Sequence, residues 1–157
     1  MRGFVPQARV LIASLSGFCA LAAASHTANA APAHTARTVN LAESGHLHRT
    51  NPPSGVHLDE QGSASGTING TIYIHLKVYS NHVNAEVNIY PHGGSLTATG
   101  SATYHVNGGY APFSGTIAVA RGTGTYAHAH SGALRFTGSI QRSNDAVTVQ
   151  LSGRLSY

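Results

Sequence analysis

Residues 121–132, RGTGTYAHAHSG, bring several chemistry-bearing residue types into one short stretch. Gly122, Gly124 and Ala127 fit the pattern G-x-G-x-x-G/A. That pattern cradles a dinucleotide only where it opens a helix whose N-terminus faces the pyrophosphate. A parallel crossover also needs about a dozen residues or more. Too few separate Gly122 from the next strand, which begins near Gly132, so the nucleotide match is accidental. Gly122, His128 and His130 fit G-x5-H-x-H, the opening of the cupin metal pattern. The Glu that should follow is replaced by Leu134 and Arg135, and the pattern's second half is missing. Two His at i and i+2 share a strand face, but a stable metal site needs three or four ligands with outer support. His46 and His48 repeat the spacing in a stretch expected to be a flexible arm without a rigid scaffold. No metal is expected, and the histidines read as solvated loop residues. The third reading is a turn. Gly122, Gly124 and Gly132 supply the backbone angles for it, and Tyr126 and Ala129 can fold back over one end of a sheet.

The carboxylates offer little from sequence. Asp59 and Glu60 precede the patterned region, Glu43 lies further upstream, and Glu86 shares a polar face with His82, Asn84 and Asn88. Asp145 alone falls on an inward parity, at a strand start. No carboxylate pair is expected to do acid–base work, and no Ser-His-Asp set can be recognised from spacing. No catalytic residue is therefore named. Polar or aromatic residues on the inward parity near strand ends are the candidates for lining a cavity: Tyr104, Arg121, Tyr126 and Asp145.

The elements that would position them are strands. From Gly66 to the C-terminus apolar residues alternate with polar ones, the period of half-buried strands. Val147, Val149, Leu151, Leu155 and Tyr157 share one face, and Ile68, Ile72, Ile74, Leu76 and Val78 do the same on an earlier strand. Short turns at Ser80–Asn81, His92–Gly94, Asn107–Pro112 and Ser143–Asp145 separate the runs and predict hairpins. Gly66, Gly100, Gly115, Gly138 and Gly153 all fall on the apolar parity. Inward glycines suit a small, sharply bent barrel; a two-layer sandwich is the alternative. The fold expected is all-β, a small antiparallel up-and-down barrel of about six to eight strands.

Residues 1–30 read as a signal peptide, with Arg2 and Arg9, the apolar run from Val10 to Ala24, and Ala28-Asn29-Ala30 before a cleavage point. Secretion is expected, with no integral membrane segment left after cleavage. Cys19, the single cysteine, would leave with the signal. The formal charge of +4 is spread thinly, without the basic stripe of a nucleic-acid binder. Residues 31–62 are poor in large apolar side chains, and Asn51–Gly55 (NPPSG) breaks any regular element. A flexible arm is expected there, with one possible strand at Val39–His48, and the barrel domain spans residues 63–157.

The segment from Phe113 to Ile140 resembles the dirigent / allene oxide cyclase-like barrel proteins, including small secreted bacterial members. The residues that carry the resemblance are Phe113, Gly115, Arg121, Gly122-Thr123-Gly124, Tyr126, Ala127 and Gly132. It covers about residues 93–157, thins over 63–92 and is absent before that. It implies an eight-stranded barrel, often a homotrimer, with an apolar cavity that works on small molecules without a cofactor. Its catalytic residues cannot be carried over. Two functions follow as expectations. One is a secreted, cofactor-free barrel that binds a small hydrophobic ligand or serves structurally. The other is a dirigent- or cyclase-like stereo-directing protein or isomerase acting on a small hydrophobic substrate.

Overall fold

The computed structural model describes residues 35–50 and 56–157. The expected signal peptide and the NPPSG stretch lie outside the described residues. The strands are β1 (Ala36–Thr50), β2 (Val56–Gly66), β3 (Gly70–Val78), β4 (His82–Pro91), β5 (Gly94–Tyr104), β6 (Tyr110–Gly124), the two-residue β7 (His130–Ser131), β8 (Leu134–Gln141) and β9 (Ala146–Ser156). Each long strand pairs antiparallel with the next, and β1 also pairs with β9 from Ala36↔Ser156 to His46↔Ala146. The sheet is thus an up-and-down barrel of eight strands, with β7 as an extra short strand beside β9. Closure removes the free edges that would otherwise invite other chains to pair. Eight strands leave an interior just wide enough for packed side chains or one small ligand.

Within the arm expected over 31–62, the possible strand at Val39–His48 lies inside β1, but the described residues around it are strand rather than flexible chain. Residues 36–50 and 56–62 belong to β1 and β2, and the barrel closes through them. Alternation is present in β1, where Val39, Leu41, Glu43 and Gly45 are buried and Asn40, Ser44, His46 and His48 are exposed. Glu and Gly stand where a core strand normally carries aliphatic side chains, so the inward row does not look apolar.

Two apolar clusters fill the barrel. One packs Val39, Leu41, Ala64, Ile68, Leu96, Ala129 and Leu155 near the β1 start, with Tyr126 and Tyr157 against it. The other packs Ile72, Ile74, Val87, Ala98, Ile117 and Leu134 further along. The inward glycines have large partners. Phe113 pairs with Gly138 and Gly115 with Phe136 across β6 and β8, and the two rings meet edge-on at 6.2 Å. Each ring covers the space that the opposite glycine leaves. Gly66 departs from this pattern: it is exposed at the end of β2 with φ +121°.

Residues 121–132 form the turn of the third sequence reading. After β6 the amides of Tyr126, Ala127 and Ala129 donate to the carbonyls of Thr123, Gly124 and Tyr126 at 3.0, 3.1 and 2.8 Å. Gly124 takes φ +57°, a left-handed angle that opens the turn. Ala129 is buried in the first cluster, and Tyr126 lies half-buried beside it.

Candidate functional site: a buried acid pair

Inward side chains of all eight long strands enclose a cavity of about 250 Å³. Its wall is aliphatic and aromatic apart from Tyr104, Glu43 and Glu60. The two acids are the most buried charged residues of the described chain, 4 % and 3 % exposed. They come from adjacent strands. Glu43 in β1 stands opposite Ala64, Glu60 in β2 stands opposite Leu47, and the Gly45↔Gly62 pair lies between them. The glycines make the arrangement possible. A methyl group on Gly45 would sit 2.7 Å from Glu60 Oε1 and 2.9 Å from Glu43 Oε1, and one on Gly62 would sit 2.6 Å from Glu43 Oε1. Both carboxyls therefore lean over the same glycine pair, into space that any other residue would occupy.

Glu43 Oε1, Glu43 Oε2 and Glu60 Oε1 are buried and accept no hydrogen bond of good geometry. Taking a carboxylate out of water without a partner costs several kcal/mol, so proton uptake is the natural response. Burial first, then a hydrogen bond to Glu60 and the Glu60 charge, push Glu43 up to about 9. Burial also raises Glu60, while the hydrogen bond from Glu43 and the positive potential of His46 work the other way. The acids approach closely enough to share a proton, but their static geometry is not that of a formed bond. The two titrate as a unit. At neutral pH the unit keeps at least one proton.

No carboxylate pair was expected from the sequence; the structure brings these two together in the barrel interior. Their signal was present as parity: Val39, Leu41, Glu43, Gly45 and Leu47 keep a strict period of two, as do Leu58, Glu60, Gly62 and Ala64. The neighbouring Asp59 points outward and meets His75 Nδ1 at 2.7 Å.

The four candidates read from sequence scatter. Tyr104 lines the cavity, and its hydroxyl donates to the carbonyl of Tyr79 at 3.0 Å, with that of Ser80 at 3.4 Å. Tyr126 lies outside the cavity wall, against Tyr157 with ring centroids 5.0 Å apart, and closes the barrel end. Burial, then the neighbouring Tyr157, raises the pKa of its hydroxyl. Arg121 is exposed. Thr97 pairs with Arg121 and Ala98 with Val119, so Ala120 is an extra residue in β6. This bulge inverts the parity beyond it and turns Arg121 outward. Asp145 is exposed in the β8–β9 turn at φ +56°; its backbone carbonyl accepts the Leu47 amide at 3.0 Å, and its side chain does not line the cavity. His128 and His130 are exposed, with His130 Nδ1 3.0 Å from the His128 carbonyl. Among the described residues no three His, Cys, Asp or Glu side chains gather to hold a metal.

No family model, no curated protein and no solved structure matches the chain.

Proposed function

We propose that the barrel binds one small, mostly apolar molecule in its interior and holds that molecule's polar group against Glu43 and Glu60. The observation that carries this reading is the acid pair: two buried carboxyls with unbonded oxygens, set in an otherwise apolar cavity. A purely structural barrel would gain stability by replacing them with aliphatic side chains. Ligand sites, by contrast, combine an apolar wall with a few polar groups that fix orientation. The cavity lies near the lower edge of the volumes usual for ligand sites, which suits a compact ligand. The positively charged start, apolar run and Ala28-Asn29-Ala30 support export of the chain.

The same pair favours a second reading, in which the barrel is a cofactor-free isomerase or cyclase of the kind that the resemblance to dirigent and allene oxide cyclase-like proteins implies. Two coupled buried carboxyls that hold protons between them can supply an acid and a base within one site.

The binding reading is tested with the neutral fluorescent reporter N-phenyl-1-naphthylamine. Saturable one-to-one binding is expected. It should be lost in Ala98→Phe, which fills the cavity, and weakened in the milder Ala98→Val. Retained far-ultraviolet circular dichroism checks the fold of both. Failure of the unaltered protein to bind the reporter would remove the proposal.

A further inference from the structure

We infer that the molecule held in the barrel is a monocation, an apolar body bearing one protonated amine that seats between Glu43 and Glu60. This rests on the reading of the cavity as a ligand site and adds the charge of the ligand. Among the lining residues, β1 contributes Glu43, β2 contributes Glu60 and β5 contributes the Tyr104 hydroxyl. The lining residues of β3, β4, β6, β8 and β9 carry no titratable group. His46 is near enough to influence Glu60, but it is exposed on the outer face of β1, opposite Gln61. Once the pair gives up a proton, its negative charge has no cation in the cavity wall to face.

Three classes of polar group can be compared against that site. An anionic ligand would set like charges together in a low-dielectric interior and is excluded on that ground. A neutral hydroxyl would satisfy one oxygen and leave the charge uncompensated. An ammonium has three donors, and three buried carboxyl oxygens lack partners. It also makes the filled site neutral once one proton has left the pair. A bare divalent ion fits less well. Calcium takes six to eight oxygen ligands and magnesium requires six, whereas this wall offers only two carboxyls and a tyrosine hydroxyl engaged with the Tyr79 carbonyl.

Three compounds of nearly equal size test the inference: 2-phenylethylamine, 2-phenylethanol and phenylacetate. Each is titrated into the full chain at pH 7 by displacement of N-phenyl-1-naphthylamine and by calorimetry in two buffers of different ionisation heat. The amine is expected to bind at least tenfold more tightly than the alcohol, and phenylacetate should not displace the reporter. Amine binding should release up to one proton per ligand as the pair gives one up; alcohol binding should release none. In Glu43→Gln/Glu60→Gln the amine's advantage should vanish while the alcohol still binds, which also shows that the cavity survives. Equal affinity for amine and alcohol, tighter binding of phenylacetate, or an advantage that persists in the double variant would overturn the inference and leave the cavity reading in place. If the reporter itself does not bind, both fall together.

Discussion

Glu43 shows how one side chain ties stability to pH. Its folded-state pKa is raised from 4.5 to about 9 by burial and by Glu60. Between those values the folded protein holds a proton that the unfolded chain has released. Stability is then fully present below the unfolded value and is lost as pH rises through the folded one, with a slope of up to about 1.4 kcal/mol per pH unit. The melting temperature should therefore fall from pH 5 toward pH 9, on the order of 5 °C per unit. Glu43→Gln keeps the shape of the protonated acid and cannot ionise. It should melt close to the unaltered protein at pH 5, melt higher at pH 8, and show a flatter profile by calorimetry. An unchanged slope would mean that Glu43 is not the proton carrier. The glycines beneath the pair permit a second prediction. Gly45→Ala places a methyl group against both carboxyls, and overpacking of this kind costs about 1–3 kcal/mol. In the Glu43→Gln/Glu60→Gln background the cost should persist, because the amides fill the same volume. Chemical denaturation of the four proteins measures both costs, and a penalty that disappears with the charges would show repulsion rather than crowding.

At the scale of elements, β3 to β6, β8 and β9 were legible because their inward positions carry large apolar residues with a period of two. Of the first two, only β1 was glimpsed, as a possible strand at Val39–His48, and β2 was not. In β1 and β2 the positions that should advertise a core hold Glu43, Gly45, Glu60 and Gly62, so the residues that build the site are the ones that hid its strands. The same cause concealed the site, since a carboxylate in an apparent arm gives no reason to look inward. Arg121 failed for a different reason. Parity counting assumes an unbroken ladder, and the extra Ala120 in β6 is fixed by pairing with β5, which a single strand's sequence does not encode. Tyr104 lies in β5, whose own pairing has no extra residue, and it lines the cavity. The bulge can be tested by deleting Ala120. Deletion removes the extra residue and leaves Val119 opposite Ala98 and Arg121 opposite Thr97, so alternation becomes regular and Arg121 stays on the outer face. The variant should keep a single cooperative thermal transition. Arg121→Ala should change stability by less than about 0.5 kcal/mol both with the bulge intact and in the deletion. Loss of the cooperative transition in the deletion, regained with Leu at 121, would mean that Arg121 had turned inward and that Ala120 is not the extra residue.

For the whole molecule the deciding feature is closure. β1 pairs along its length with both β2 and β9, supplies Val39 and Leu41 to the first cluster, and carries half of the acid pair. A sheet of the remaining strands would expose two long edges and the inner face of the barrel, the arrangement that leads β-proteins to aggregate. The chain should therefore tolerate trimming up to β1 and no further. A protein of residues 35–157 is expected to unfold in a single cooperative transition and to bind the fluorescent reporter, because the pairings and clusters that define the barrel lie within it. A protein of residues 56–157 keeps most of the apolar alternation but lacks the closing strand. It is expected to aggregate or to melt without a cooperative transition, and adding a synthetic peptide of residues 35–50 should restore part of the reporter signal by completing the sheet. Size-exclusion chromatography and thermal melts of the two proteins compare them directly. A monomeric, cooperatively folded 56–157 would show that the barrel does not depend on β1 and would separate the acid pair from the architecture that holds it.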